Sequence, residues 1–167
     1  MIPHPDPQQT SIALNCAVIT VSDTRTPETD KSGQLIQQLL SKAGHNIVAY
    51  TIVKDEPLDI KQLLVELNDR SALSVIIFSG GTGIAPRDTT FDVISSQLEK
   101  TLPGFGEIFR YLSYQEIGSR AIASRAVAGI ANGKILFSLP GSSNAVKLAM
   151  TALILPEINH LVRQLKK

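Results

Sequence analysis

Val75-Ile76-Ile77-Phe78-Ser79-Gly80-Gly81-Thr82-Gly83-Ile84-Ala85-Pro86-Arg87-Asp88-Thr89-Thr90 decides the architecture of this chain. A β-branched and aromatic run leads into three glycines within four positions, then into a carboxylate at a helix start. Strand, glycine loop, acid and helix N-terminus is the order in which an α/β protein brings bare backbone N–H groups against a phosphate. Glycine lets the backbone approach a ligand where a Cβ would collide. A carboxylate beside a phosphate repels it unless a cation lies between them, so Asp88 points to a phosphate site served by Mg²⁺. Two better-known loops are excluded. No Lys follows the glycines as a Walker A loop requires, and Pro86 stands where a dinucleotide fingerprint needs its third glycine. For the glycines alone, a tight turn without a ligand is the alternative.

Upstream, residues 12–21 read as a buried strand and 47–53 as a second, with 74–79 as the third. Between the first two, Leu35, Ile36, Leu39, Leu40 and Ala43 recur at helical spacing, capped by Asp30 or Ser32 and stopped by Gly44. Pro57 suits the first position of a helix striped by Ile60, Leu63, Leu64 and Leu67. Asp88 or Thr89 caps a helix carrying Phe91, Ile94 and Leu98. Alternation of this kind predicts right-handed βαβ units and a mainly parallel sheet. Downstream the pattern changes. Phe105, Ile108, Phe109 and Leu112 stripe a helix, and Asn132-Gly133 joins strands over 126–130 and 135–139 as a hairpin. Pro140-Gly141-Ser142-Ser143-Asn144 opens a last helical stretch, which Pro156 restarts. The expected fold is a three-layer α/β arrangement with one antiparallel edge strand and helices on both faces.

A chain of 167 residues makes one domain over 12–167, behind a proline-rich, polar lead-in over 1–11 expected to be flexible. With 16 basic and 15 acidic residues it lacks the basic field that nucleic acid requires. No apolar stretch reads as membrane-spanning and no signal peptide is visible, which predicts a cytoplasmic protein. Cys16 is the single cysteine, so no internal disulfide forms, and its apolar strand predicts a buried thiol. His4, His45 and His160 have no zinc-ligand spacing, and a Gly-x-Ser-x-Gly elbow is absent.

Four polar loops follow predicted strands: Ser22-Asp23, Lys54-Asp55-Glu56, the stretch from Ser79-Gly80 to Asp88, and Pro140 to Asn144. Carboxyl ends of parallel strands share one edge, where ligands bind. Asp55 and Asp88 would therefore meet there and hold Mg²⁺ with its water shell. Helix capping is the competing role for each acid, as it is for Ser142 and Ser143. Arg87 or Arg110 would stabilise developing charge, or form a surface or intersubunit salt bridge.

Ser79-Gly80-Gly81-Thr82-Gly83 with Pro86-Arg87-Asp88 resembles the signature of the MoaB/Mog family of molybdenum cofactor biosynthesis proteins, which includes the G domain of gephyrin. The resemblance continues through Pro103 to Glu107, Phe109 to Ser113, Glu116 to Gly118, Ser124 to Gly129 and Pro140 to Ser142. The wording from Arg110 to Gly129 and at Asp30-Lys31-Ser32-Gly33 is closer to the MoaB branch. The resemblance implies the molybdopterin-binding domain fold, assembled as a homo-oligomer, trimer or hexamer. It implies a molybdopterin adenylyltransferase that moves AMP from Mg-ATP to the terminal phosphate of molybdopterin and releases pyrophosphate. The family's two essential acids fall on Asp55 and Asp88, and its functional serine on Ser113. Gly80 to Gly83, with Thr82, would cradle the pterin's phosphate, and Pro140-Gly141-Ser142 would line the same pocket. Other molybdenum cofactor biosynthesis proteins are implied partners. Two rival readings are a pterin-binding carrier or scaffold without turnover, and reuse of the fold on other nucleotides, as in the competence-damage family.

Overall fold

Successive strand residues face opposite sides of a sheet, and here both sides are apolar. The computed structural model describes residues 11–166, so the expected lead-in lies, apart from Ser11, outside the described residues. The elements run β1 (Asn15–Val21), α1 (Lys31–Lys42), β2 (Asn46–Val53), α2 (Pro57–Asn68), β3 (Val75–Ser79), α3 (Thr90–Gln97) and β4 (Lys100–Thr101). They continue with α4 (Pro103–Ile117), a 3₁₀ segment (Gly118–Ala123), β5 (Val127–Ala131), β6 (Lys134–Leu139), α5 (Ser143–Ala149) and α6 (Leu155–Leu165). Cys16, Val18, Val75, Ile77, Ile135 and Phe137 pack beneath α1, α4, α5 and α6. The intervening Ala17, Ile19, Ile76, Phe78 and Leu136 pack beneath α2 and α3. Three layers result, as expected.

The six strands are ordered β2-β1-β3-β6-β5-β4. β1, β2, β3 and β6 are parallel neighbours, with Val21 beside Val53, Thr20 beside Ser79 and Ser79 beside Leu139. Four carboxyl ends thus lie in a row. The sequence runs outward from β1 to β2 and then back to β3 on its other side. That reversal leaves a crevice at the carboxyl edge. β5 runs antiparallel to β6, and β4 runs antiparallel to β5 as the outermost strand. The hairpin is tight because Asn132 (φ 47°) and Gly133 (φ 68°) both take the left-handed conformation that such turns need.

The first strand begins at Asn15, not Ile12. The Ile12 N–H donates to Asn159 Oδ1 on α6 (3.1 Å) and the Leu14 N–H to His45 Nδ1 (3.3 Å), so side chains take the bonds a ladder would use. β4 was not foreseen. Pro156 does not interrupt the last helix. A π-helical turn, Met150–Ile154, carries the Leu155 N–H back to the Met150 carbonyl and widens the helix where the proline enters. The continuous helix Ser143–Leu165 has 23 residues and a mean hydropathy of 1.3 in its most apolar window. That corrects the expectation that no stretch reaches spanning length. Its Val146, Ala149, Met150, Ile154, Ile158 and Val162 are core residues against the sheet.

Candidate phosphate-binding site

β3 ends at Ser79, and the chain turns at once through Gly80 (φ 107°) and Gly81 (φ 64°). The Gly80 N–H donates to the Leu139 carbonyl at 2.9 Å, so the loop starts tied to the end of β6. Beyond it, the N–H groups of Gly81, Thr82, Gly83 and Ile84 meet no acceptor among the described residues. Four successive free amides are donors available to an anion, and Gly81, Thr82 and Gly83 border a cavity. Gly80 to Gly83 line a cavity of about 360 Å³ together with Asp88. Ser113 and Phe109 of α4 form a second wall, and Pro140, Gly141 and Ser142 a third.

Asp55 and Asp88, 33 residues apart in sequence, come to the same loop, Asp88 on the lining of the cavity and Asp55 outside it. A Cβ on Gly81 would sit 2.5 Å from Asp55 Oδ2, and one on Gly83 would sit 2.5 Å from Asp88 Oδ2. The glycines therefore make room for the acids as well as for a ligand. Neither acid caps the helix expected of it. Thr89 takes the cap position of α3 and Glu56 that of α2, each without a side-chain cap bond. Asp88 Oδ2 instead accepts the Ala85 N–H within its own loop at 3.0 Å. Buried Asp55 reaches across to α3, where Oδ1 accepts from Thr89 N (3.1 Å), Thr89 Oγ1 (2.7 Å) and Thr90 Oγ1 (3.2 Å). Asp88 Oδ1 and Asp55 Oδ2 carry no hydrogen bond among the described residues. No group of three or more acidic, His or Cys side chains suited to a metal occurs among those residues. Two carboxylates still match Mg²⁺ bound chiefly by water and substrate phosphate.

Other expected residues lie apart. Ser79 is fully buried at the strand end, with its hydroxyl unpartnered. Ser22 and Asp23 border a separate cavity of about 480 Å³ beside Tyr50 and Lys54. The Ser22 hydroxyl accepts from Thr24 N and Arg25 N, and Asp23 Oδ1 accepts from Asp55 N (3.2 Å). Arg87 resolves as a salt bridge, donating to Asp23 (2.9 Å) and Glu56. The Arg87 hydrogen bond holds the Asp23 carboxyl below the usual range. Arg110 lies at 3.5 Å from the Ala126 carbonyl, and neither of these arginines borders the cavity. Ser142 both caps α5, accepting from Ala145 N (3.3 Å), and lines the cavity.

Residues 17–160 match the family model described as "Probable molybdopterin binding domain". Molybdenum cofactor biosynthesis protein B of Halalkalibacterium halodurans is 52% identical over 155 residues, covering 92% of this chain and 91% of that one. The chain belongs to the MoaB/Mog family of molybdenum cofactor biosynthesis proteins. A crystal structure of a molybdenum cofactor biosynthesis protein B superposes with a TM-score of 0.91 at 48% identity, covering 95% and 99% of the two chains. The tungsten cofactor synthesizing protein MoaB of Pyrococcus furiosus superposes with a TM-score of 0.84 at 38% identity, covering 95% and 100%. Membership in this MoaB group makes the pathway molybdenum cofactor biosynthesis and the domain a molybdopterin-binding one.

Around that family loop, sequence reasoning passed over three residues. Arg120 and Ser124 line the cavity from the 3₁₀ segment and just beyond it, the Ser124 hydroxyl buried and unpartnered. Arg125 lies behind the loop and donates to its carbonyls. An arginine in a polar, irregular stretch gives no signal of where its side chain folds back.

Proposed function

We propose that this chain adenylylates molybdopterin. A terminal phosphate oxygen of molybdopterin attacks the α-phosphorus of ATP, a new P–O–P bond forms, and the bond to the β-phosphate breaks as pyrophosphate leaves. The four unpaired amides of Gly81 to Ile84, on a loop flanked by two carboxylates, are the observation that carries this reading. Amides alone would serve a phosphate; the acids make sense when a cation joins it. Asp88 Oδ1 and Asp55 Oδ2 would hold Mg²⁺, which when bound neutralises polyphosphate charge and polarises the phosphoryl group. Arg120 replaces Arg87 and Arg110 as the cation facing the developing charge, since it borders the cavity. Ser113, buried in α4, borders the same space and orients the pterin. Transfer between two polyanions is chiefly a task of alignment and charge neutralisation, which such a site supplies.

The engagement of Asp55 Oδ1 by three donors of α3 favours a second reading, in which the acid is structural and the chain carries molybdopterin without turnover. Purified protein incubated with molybdopterin and Mg-ATP separates the two. Adenylylated molybdopterin with equimolar pyrophosphate supports the enzyme; tight pterin binding without product supports the carrier. We also propose self-association as a trimer or hexamer. Ile108, Tyr111, Tyr114 and Ile117 leave an apolar stripe on α4, 49% to 63% exposed, which a second copy would cover. Cytoplasmic action alongside other enzymes of the same pathway completes the proposal.

A further inference from the structure

Arg125 makes an unusual set of contacts for a side chain outside the cavity. Its Nε donates to the Thr82 carbonyl (3.3 Å) and its Nη2 to the carbonyls of Gly83 (2.6 Å) and Asp88 (3.1 Å). Its Nη1 meets both carboxylate oxygens of Asp92 at 3.1 Å. The guanidinium lies 4.7 Å from the centre of the Phe91 ring. Every donor face of the fork is thus engaged, and three of its acceptors are loop carbonyls.

All described peptide bonds are trans. In a trans peptide the carbonyl and the following N–H point in opposite directions. Drawing the Thr82 and Gly83 carbonyls onto Arg125 therefore turns the Gly83 and Ile84 N–H groups the other way. The peptide after Asp88 displays the relation directly: its carbonyl accepts from Arg125, and its Thr89 N–H donates to Asp55 Oδ1 at 3.1 Å on the far side. Without the guanidinium, those carbonyls would be free to turn and the free amides would turn with them. We propose that Arg125 is a positioning residue that templates the glycine loop, fixing peptide planes 82–84 so that their N–H groups face the bound anion. This rests on the reading of that loop as a phosphate site.

A lysine keeps the charge but is a point donor without the planar fork, so it cannot span the three carbonyls from the Phe91 ring. The test compares wild type with Arg125→Lys and Arg125→Ala. It reads thermal unfolding, molybdopterin affinity by fluorescence, and hydrogen exchange of peptides covering residues 85–89, where the Ala85, Asp88 and Thr89 N–H groups of the loop are hydrogen-bonded. Arg125→Lys is expected to unfold cooperatively, to bind molybdopterin about tenfold more weakly or worse, and to exchange the loop amides faster. Millimolar guanidinium is expected to recover binding in Arg125→Ala but not in Arg125→Lys. Wild-type affinity together with wild-type exchange in Arg125→Lys would overturn the proposal. Should wild type bind no molybdopterin, the phosphate reading falls and exchange alone decides. Faster loop exchange in Arg125→Lys then upholds the clasp, and unchanged exchange overturns it.

Discussion

Gly81 has no space for a side chain. Its φ of +64° is one that L-residues rarely adopt, and a Cβ there would meet the Thr90 hydroxyl and the Asp55 carboxylate. Gly81→Ala should therefore cost about 1–3 kcal/mol, read as a lower urea midpoint together with lost pterin binding; an unchanged midpoint would contradict the packing described. The two acids should behave differently. Asp55→Ala strands Thr89 N, Thr89 Oγ1 and Thr90 Oγ1, so a stability loss of about 2–4 kcal/mol is expected on denaturant unfolding. Asp88 makes one bond, within an irregular loop, so Asp88→Asn should unfold like wild type within about 0.5 kcal/mol while losing turnover. That both acids come to the glycine loop was legible because each follows a predicted strand at the carboxyl edge of the sheet. Their packing partners were not, since hydrogen bonds across 34 residues leave no local trace in a sequence.

α1 depends on a single buried acid. Asp30 caps the helix through Gly33 N (2.9 Å) and accepts from Thr20 Oγ1 (2.6 Å), Tyr50 OH (2.7 Å) and Arg25 (3.2 Å). Burial opposes its ionisation, but those donors and the Arg25 charge outweigh burial and hold the carboxyl below its ordinary value. A carboxyl depressed on folding contributes fully above its unfolded value, near ~3.9, and loses that contribution as pH falls through the folded value. Asp30→Asn should thus show a steady deficit in urea unfolding from about pH 7 to 5, shrinking below about pH 4. A deficit unchanged or larger at about pH 3 would show that the charge is not what matters. A cap at Asp30 or Ser32 and the Asn132-Gly133 turn were readable because each is local chemistry, and the structure places the cap at Asp30. β4 was not, being two exposed residues whose strand character comes from lying beside β5. The π-helical turn escaped for the same reason: Pro156 announces a break, and only the packed helix shows how the break is absorbed.

At the scale of the whole molecule, strand order gathers the site. β1, β3 and β6 end side by side, and every loop that leaves them reaches the same edge. That edge was predictable from alternating strands and helices. Its division into two cavities was not: Ser22 and Asp23 border one beside Tyr50 and Lys54, and the glycine loop borders the other. The apolar stripe of α4 belongs to this scale too. Tyr111→Glu combined with Tyr114→Glu, where Tyr111 is 63% and Tyr114 60% exposed, should lower the mass seen in sedimentation; an unchanged mass would remove α4 from the interface. The central claim is adenylyl transfer at the glycine loop. ATP labelled on its α-phosphate, incubated with protein, Mg²⁺ and molybdopterin, should place label in the pterin fraction for wild type and not for Asp88→Asn. ATP labelled on its γ-phosphate should leave its label in pyrophosphate. Transfer of the γ-label to the pterin, or no α-label there while the pterin binds, would contradict the account.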